Sequence, residues 1–204
     1  MIYEFRTYSI LPRSLPEVLK RFEEPLARRQ EFSKLWAFWH TEIGPLNQIT
    51  HVWPYKDANE RTAIRAKAVA EGAWPPKIAD YIVDMQSDIY EPLPFATPLE
   101  PGNHGAYYEM RIYTLKPGAF PGWAAAWKEK LPERVKLSPL AGVFASEIGG
   151  LNRWMHIWPY KTLQQRDDTR KAALASGNWP PNAPTPPVRQ ENKFLIPAKF
   201  SPMQ

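Results

Sequence analysis

Hydrophobic and polar residues alternate at the start of the chain, which is typical of a half-buried β-strand. The alternation runs from Ile2 to Ile10 and gives the segment two faces. One face carries Tyr3, Phe5 and Thr7, and the other carries Glu4, Arg6 and Tyr8. Apolar residues then recur at helical spacing, at Leu15, Leu19, Phe22 and Leu26. This stripe predicts an amphipathic helix, which Pro25 is expected to kink or to end early.

The next elements continue a compact α+β pattern. Strands are predicted over residues 35–43 and 48–55, and the turn at residues 44–47 joins them as a hairpin. A second helix is predicted over residues 57–71, with Asp57 as its N-cap and Gly72 as its stop. A last strand is predicted over residues 88–95. The order β-α-β-β-α-β is typical of a four-stranded antiparallel sheet with two helices on one face, the ferredoxin-like unit.

The same pattern occurs a second time, 105 residues later and without a gap. Roughly 32 of 99 aligned positions are identical, including the strand motif at residues 3–8 and its counterpart at 108–113. A short segment rich in proline and glycine, residues 98–105, separates the copies and is expected to be a linker. We therefore predict two repeats, residues 1–99 and 106–204, which we call the first half and the second half. Each sheet has one face without helices, so the sheets are expected to pack face to face as an intrachain pseudo-dimer.

The third strand of each repeat carries the residues with the clearest chemical potential. Alternation places polar and aromatic side chains on one face, and the first strand offers a matching polar face. We predict that these faces line a cavity between the two sheets. The candidate ligand-binding residues are Arg6, Tyr8, Asn47, Trp53, Tyr55, Arg111, Tyr113, Asn152, Trp154, Trp158 and Tyr160.

His51 and His156 are the histidines that occupy equivalent positions in the two repeats, and they are the candidate catalytic residues. Imidazole can serve as a general base, a proton shuttle or a haem ligand near neutral pH. The alternative is a buried histidine held by hydrogen bonds within the sheet.

The Glu-x-Arg motif of the first strand also has two interpretations. The side chains of Glu4 and Arg6, and of Glu109 and Arg111, lie two residues apart on one strand face and can form a structural ion pair. The functional alternative is that Arg6 or Arg111 holds an anionic or enolate oxygen of a ligand.

Composition narrows the classes of function. The chain has no cysteine, which excludes disulfides, zinc-thiolate sites and thiol nucleophiles, and we predict no metal site. The formal charge is +5, but basic runs such as Arg28-Arg29 and residues 65–67 are expected on helix surfaces beside acidic residues, so nucleic-acid binding is not favoured. Apolar runs are too short for a membrane span, and the first residues resemble a strand rather than a targeting leader. The expected location is the cytoplasm.

Three motifs together resemble the NIPSNAP family. They are Tyr-Glu-x-Arg-x-Tyr at residues 3–8 and 108–113, Asn-x-x-x-His-x-Trp-Pro-Tyr at 47–55 and 152–160, and Arg-x-x-x-Arg at 61–65 and 166–170. The resemblance covers essentially the whole chain, twice. It implies an α+β barrel of the dimeric type, with one chain supplying both ferredoxin-like units. Sister families include cofactor-free monooxygenases and haem-degrading enzymes, and no catalytic residue is carried over.

Three functions follow as hypotheses. The favoured one is binding of a small, partly aromatic molecule in the cavity between the sheets, without a cofactor. The second is a cofactor-independent monooxygenase or isomerase with a histidine base, with haem as the remaining cofactor alternative. The third is a scaffold whose exposed sheet edges mediate assembly, and pairing of chains into a homo-oligomer is compatible with all three.

Overall fold

The computed structural model describes all residues, 1–204, as eight strands and four α-helices. The first half contains β1 (Ile2–Ile10), α1 (Leu15–Arg29), β2 (Ala37–Ile43), β3 (Gln48–Tyr55), α2 (Ala58–Ala70), a 3₁₀ turn (Ala79–Tyr81) and β4 (Ile82–Pro92). The second half contains β5 (Tyr107–Thr114), α3 (Phe120–Arg134), β6 (Gly142–Ile148), β7 (Arg153–Tyr160), α4 (Leu163–Ala175) and β8 (Arg189–Pro197).

Most of the predicted elements are confirmed, and the largest differences from the predicted bounds are in α1 and β4. The bounds of β1 and β3 are those predicted, and the Asp57 side chain caps α2 by accepting a hydrogen bond from the Glu60 amide at 2.9 Å. Helix α1 continues through Pro25 to Arg29, so the expected early end does not occur. Strand β4 begins at Ile82, six residues before the predicted start, because it pairs with β1 along nearly its whole length.

The eight strands form one closed antiparallel barrel in the order β1-β3-β2-β8-β5-β7-β6-β4. Strand β2 pairs with β8, and β4 pairs with β6, so each edge of one half is hydrogen-bonded to an edge of the other. The predicted α+β barrel built from both halves is confirmed, and its two four-stranded sheets are hydrogen-bonded at both edges as well as facing each other. Closure removes unpaired strand edges, which in an open sheet would be free to pair with other chains.

The barrel interior is a core of apolar and aromatic side chains from both halves. Its buried members are Tyr3, Phe5, Trp36, Ala37, Trp39, Val52, Tyr90, Tyr108, Met110, Ala141, Phe144, Met155, Ile157, Leu195 and Met203. Two further cores lie between the helices and the outer face of the barrel, one in each half. The core of the first half includes Tyr8, Trp53 and Tyr55, so the polar strand face turns towards the helices. The prediction that this face lines the space between the sheets is wrong.

Candidate functional site between the helices and the barrel

A buried carboxylate organises the polar face of the first half. Glu4 accepts hydrogen bonds from Arg6 at 2.7 Å, from Arg61 of α2 at 2.6 Å and from the Ser87 hydroxyl at 2.7 Å, and Arg65 lies 3.6 Å away. Burial alone would raise the pKa of Glu4, but the hydrogen bond from Arg61 and the neighbouring positive charges outweigh it and hold the pKa at about 2. The carboxylate is therefore ionised, and it ties α2 to the barrel.

The second half repeats this cluster. Glu109 accepts hydrogen bonds from Arg111 at 2.8 Å, from Arg166 of α4 at 2.7 Å and from Asn192 at 3.2 Å. Burial opposes ionisation, and the hydrogen bond from Arg166 and the charge of Arg111 hold the pKa of Glu109 at about 2. The structural ion pair that the sequence suggested is present in both halves. Arg65 forms an ion pair with Glu4, whereas its counterpart Arg170 forms no ion pair with a carboxylate.

The two paired histidines are buried within the same clusters. Each ring accepts a hydrogen bond at Nδ1 from the indole N–H of the tryptophan two residues later, Trp53 to His51 at 2.7 Å and Trp158 to His156 at 2.6 Å. Both Nε2 atoms are buried and have no partner within the chain. Burial first, and then the charge of Arg6 or Arg111, lowers the pKa of each histidine well below 6.5. Both rings are therefore neutral at pH 7.

The indole hydrogen bond also fixes the tautomer of each ring. An indole nitrogen can only donate, so Nδ1 must offer its lone pair. A neutral imidazole then carries its proton on Nε2. His51 and His156 consequently present a buried N–H donor and no free basic lone pair.

An arginine of the first helix of each half is buried, which contradicts the prediction that Arg29 lies on a helix surface. Arg29 and Arg134 are only 1% and 4% exposed. The Cζ atom of Arg29 lies 4.3 Å from the centre of the Trp53 ring, and that of Arg134 lies 4.0 Å from the centre of the Trp158 ring. Arg29 also donates a hydrogen bond to Tyr55, and Arg134 donates one to Tyr160. The available signal was that this arginine recurs at the 105-residue offset.

A cavity of about 520 Å³ opens beside this cluster in the second half. It lies between the outer face of the barrel, helices α3 and α4, and the proline-rich segment 180–187. The sequence-predicted residues that line it are Arg111, Tyr113, His156, Trp158 and Tyr160. Sequence patterns did not assign to a site the remaining aromatic and charged lining residues, which are Trp123, Trp127, Trp179, Arg134, Arg170 and Lys171.

In the first half, a larger side chain occupies the position equivalent to Ala183 of the cavity wall. Ile78 is 5% exposed and packs in the core with Phe22 and Trp74, whereas its counterpart in the second half is Ala183, which lines the cavity. Phe38 stacks on His51 at 5.6 Å, and its counterpart Val143 is fully buried and does not line the cavity. The exchange of Ile78 for Ala183 therefore removes apolar volume at the cavity wall, whereas the exchanges of Val18 for Trp123 and of Phe22 for Trp127 add indoles to it.

The remaining predicted site residues have other surroundings. Arg6, Tyr8, Trp53 and Tyr55 belong to the filled cluster of the first half, and Trp154 is buried against Phe120 and Trp127 outside the cavity lining. Asn47 and Asn152 are exposed turn residues with φ of 55°, and their carbonyls accept hydrogen bonds from Ile10 and Leu115. Their predicted place in a cavity wall is wrong. Each residue adopts a left-handed turn conformation and contributes its backbone carbonyl to a hydrogen bond.

A second cavity, of about 270 Å³, does lie between the two halves at one end of the barrel interior. Its lining includes Thr7, Thr50, Gln86 and Lys193, and burial lowers the pKa of Lys193 to about 8. None of the sequence-predicted site residues lines it. The predicted site chemistry and the space between the sheets are thus in different places.

The side chains around the cavity of the second half do not fit haem ligation by histidine. An axial bond from Nε2 requires a bare nitrogen, which would move the proton to Nδ1 and set it against the Trp158 N–H at 2.6 Å. No group of three or more histidine, aspartate or glutamate side chains is placed to hold a metal ion. None of the helices combines the length and apolar character that crossing a membrane requires.

Comparison with known proteins agrees with the architecture. The sequence profile of the NIPSNAP family matches the chain twice, over residues 3–97 and 108–202. Protein NipSnap homolog 3A of Homo sapiens is 30% identical, and the alignment covers 100% of this chain and 86% of the human protein. For the NipSnap homolog of Dictyostelium discoideum the identity is also 30%, with 98% and 88% covered. A proposed monooxygenase from Lactobacillus acidophilus NCFM superposes with a TM-score of 0.66 at 12% identity, over 96% of this chain and 92% of that one, which shows a common fold. The chain belongs to the NIPSNAP family.

Proposed function

We propose that this protein binds a small, partly aromatic molecule in the cavity between the helices and the barrel of the second half. The observation that carries the proposal is the cavity itself, about 520 Å³ in volume. Sites for small molecules typically measure about 300–1,000 Å³ and combine apolar walls with a few placed polar groups. Four indoles line this cavity, those of Trp123, Trp127, Trp158 and Trp179, and they offer flat surfaces for an aromatic ligand.

The enzyme alternative, a cofactor-independent monooxygenase or isomerase, draws on the same cavity. His156 lines it beside Arg111, which is the arrangement that an enzyme of this kind would need. The indole bond at Nδ1 argues against His156 as the base, because the neutral ring keeps its proton on Nε2. In an enzyme His156 would instead donate a hydrogen bond to a substrate oxygen. We therefore rank binding above catalysis.

The scaffold alternative has less support. It relied on exposed sheet edges, and every strand of the closed barrel is paired on both sides. The two matched halves support a further proposal, that residues 1–99 and 106–204 descend from one duplicated unit. Because β2–β8 and β4–β6 pairing closes the barrel, we propose that the two units fold only together.

Calorimetric titration with two naphthalene probes tests the proposed function. The probes are 2-naphthoate and 2-naphthalenemethanol, which share the aromatic body and differ in charge. We expect at least one of them to bind with a stoichiometry of one per chain. The substitution Ala183→Ile introduces the side chain that Ile78 supplies in the first half, and it should abolish binding by filling the cavity.

The matched control is Ala175→Ile, the same chemical change at an exposed position of α4 outside the cavity lining. It should leave binding unchanged. If neither probe binds the unaltered protein, or if Ala183→Ile binds as well as the control, the cavity is not the binding site and the proposal is wrong.

A further inference from the structure

Three buried N–H donors on residues of the cavity lining have no acceptor within the chain. They are Nε2 of His156, Nε1 of Trp123 and Nε1 of Trp127, and all three side chains are at least nine-tenths buried. A buried donor without a partner is destabilising, so such donors on the residues of a cavity wall point to acceptors supplied by a bound molecule. The counterparts of the two tryptophans in the first half, Val18 and Phe22, have no donor.

The charged residues around the cavity also indicate a ligand that carries hydrogen-bond acceptors. Its lining contains four cationic side chains, Arg111, Arg134, Arg170 and Lys171, and one carboxylate, Glu109. Glu109 is already bonded to Arg111, Arg166 and Asn192, so it is not free to balance the others. Arg170 has no carboxylate partner, and its charge acts on His156. The cavity therefore has a positive excess that an anion would neutralise.

We infer that the ligand is an aromatic carboxylate, with its acid group among His156, Arg111 and Arg170 and its ring against the tryptophans. The inference rests on the proposed function and adds the class of ligand. A carboxylate offers only acceptors, which suits a wall of N–H donors, and it can accept bonds from several donors at once. A neutral aromatic alcohol would gain the ring contacts but not the charge-assisted hydrogen bonds.

The test compares the affinities of 2-naphthoate and 2-naphthalenemethanol for the full chain and for two arginine variants. Charge-assisted hydrogen bonds in a partly closed site favour the carboxylate by about 10-fold or more. Arg170→Gln should weaken naphthoate binding by about 3- to 10-fold, because the guanidinium is partly screened by water, and should leave the alcohol unaffected. The matched control Arg65→Gln changes the equivalent helix position of the first half and should alter neither affinity.

The outcomes separate this inference from the proposal beneath it. Equal affinities for the two probes, both abolished by Ala183→Ile, would leave small-molecule binding standing and overturn the carboxylate. An Arg170→Gln variant that weakens both probes equally would also overturn it, since the arginine would then act through packing alone. Failure of both probes to bind would remove the proposed function itself.

Discussion

The two halves of the barrel contain the same polar cluster and differ in the space beside it. Both have a carboxylate held by arginines, a neutral histidine that accepts an indole hydrogen bond, and an arginine stacked on that indole. In the first half Ile78 packs in the core beside the histidine, whereas its counterpart Ala183 lines a cavity in the second. The cluster is therefore compatible with a structural role, and what distinguishes a candidate site is the volume beside it.

Residues that recur in both halves have a different role from residues that differ between them. Residues that recur in both halves, such as Glu4 and Glu109, anchor the second helix of each half to the barrel. Residues that differ, such as Trp123 in place of Val18, add donors where the cavity lies. A framework that occurs in both halves can keep its stability in each while one half has a different lining.

The largest expected effect is the removal of the central carboxylates. Glu4→Gln leaves Arg6 and Arg61 without their buried anion and should lower the free energy of unfolding by about 3–5 kcal/mol. Glu109→Gln should cost less, because Arg65 also pairs with Glu4 whereas its counterpart Arg170 does not pair with Glu109. Urea denaturation followed by circular dichroism measures both. Equal losses would contradict the idea that the third arginine strengthens the cluster of the first half.

Exchanging the space-filling residues sharpens the comparison further. Ile78→Ala opens a cavity in a packed core and should destabilise the protein by about 2–5 kcal/mol. Ala183→Ile fills space that already exists, so it should change stability by less than about 1 kcal/mol. Urea midpoints at constant slope provide the measurement. A large loss for Ala183→Ile would mean that the second half is as tightly packed as the first, which would contradict an open cavity there.

The histidines predict how stability depends on pH. Their folded pKa values lie well below 6.5, so the unfolded chain binds more protons once the pH falls below that value. Stability should therefore be full above pH 6.5 and fall below it, by about 1.4 kcal/mol per pH unit for each histidine. Glu4 and Glu109 lower the stability further only below pH 4.5. There the carboxyl groups of the unfolded chain bind protons, while the folded pKa values remain about 2.

Unfolding measurements between pH 6.5 and 5 isolate the histidine effect. His51→Gln and His156→Gln should each reduce the slope of stability against pH by about 1.4 kcal/mol per pH unit, the contribution of one proton. Burial also lowers the pKa of His40, which remains the smaller contributor because it is only half-buried. A slope that neither substitution reduces would show that the two rings are not buried in their neutral form.

The sequence predicted the elements well because they depend on local patterns. Alternation placed β1 and β3 with their observed bounds, and the 105-residue offset carried those bounds to β5 and β7 almost unchanged. The helix stripe of α1 also held, although the effect of Pro25 was overestimated. Pairing of β2 with β8 could not be read locally, because it joins residues more than 150 positions apart.

The side of the sheet on which the site lies was harder to predict. Alternation correctly grouped Glu4 with Arg6 and Tyr8, but it does not say which face is inward when both faces are covered. The arginines of α2 were the missed signal, since Arg61 and Arg65 need an acidic partner and Glu4 lies opposite them. The cavity depends on volume differences such as Ile78 against Ala183, which no periodicity records.

The most direct test of the difference between the halves is a ¹H–¹⁵N spectrum of the histidine side chains during titration with 2-naphthoate. Before addition, His51 and His156 should both show a protonated Nε2 and a bare Nδ1, as their indole hydrogen bonds require. Addition should shift the Nε2–H signal of His156 and leave that of His51 in place. An unmoved His156, or equal shifts of both, would contradict the assignment of the binding site to the second half.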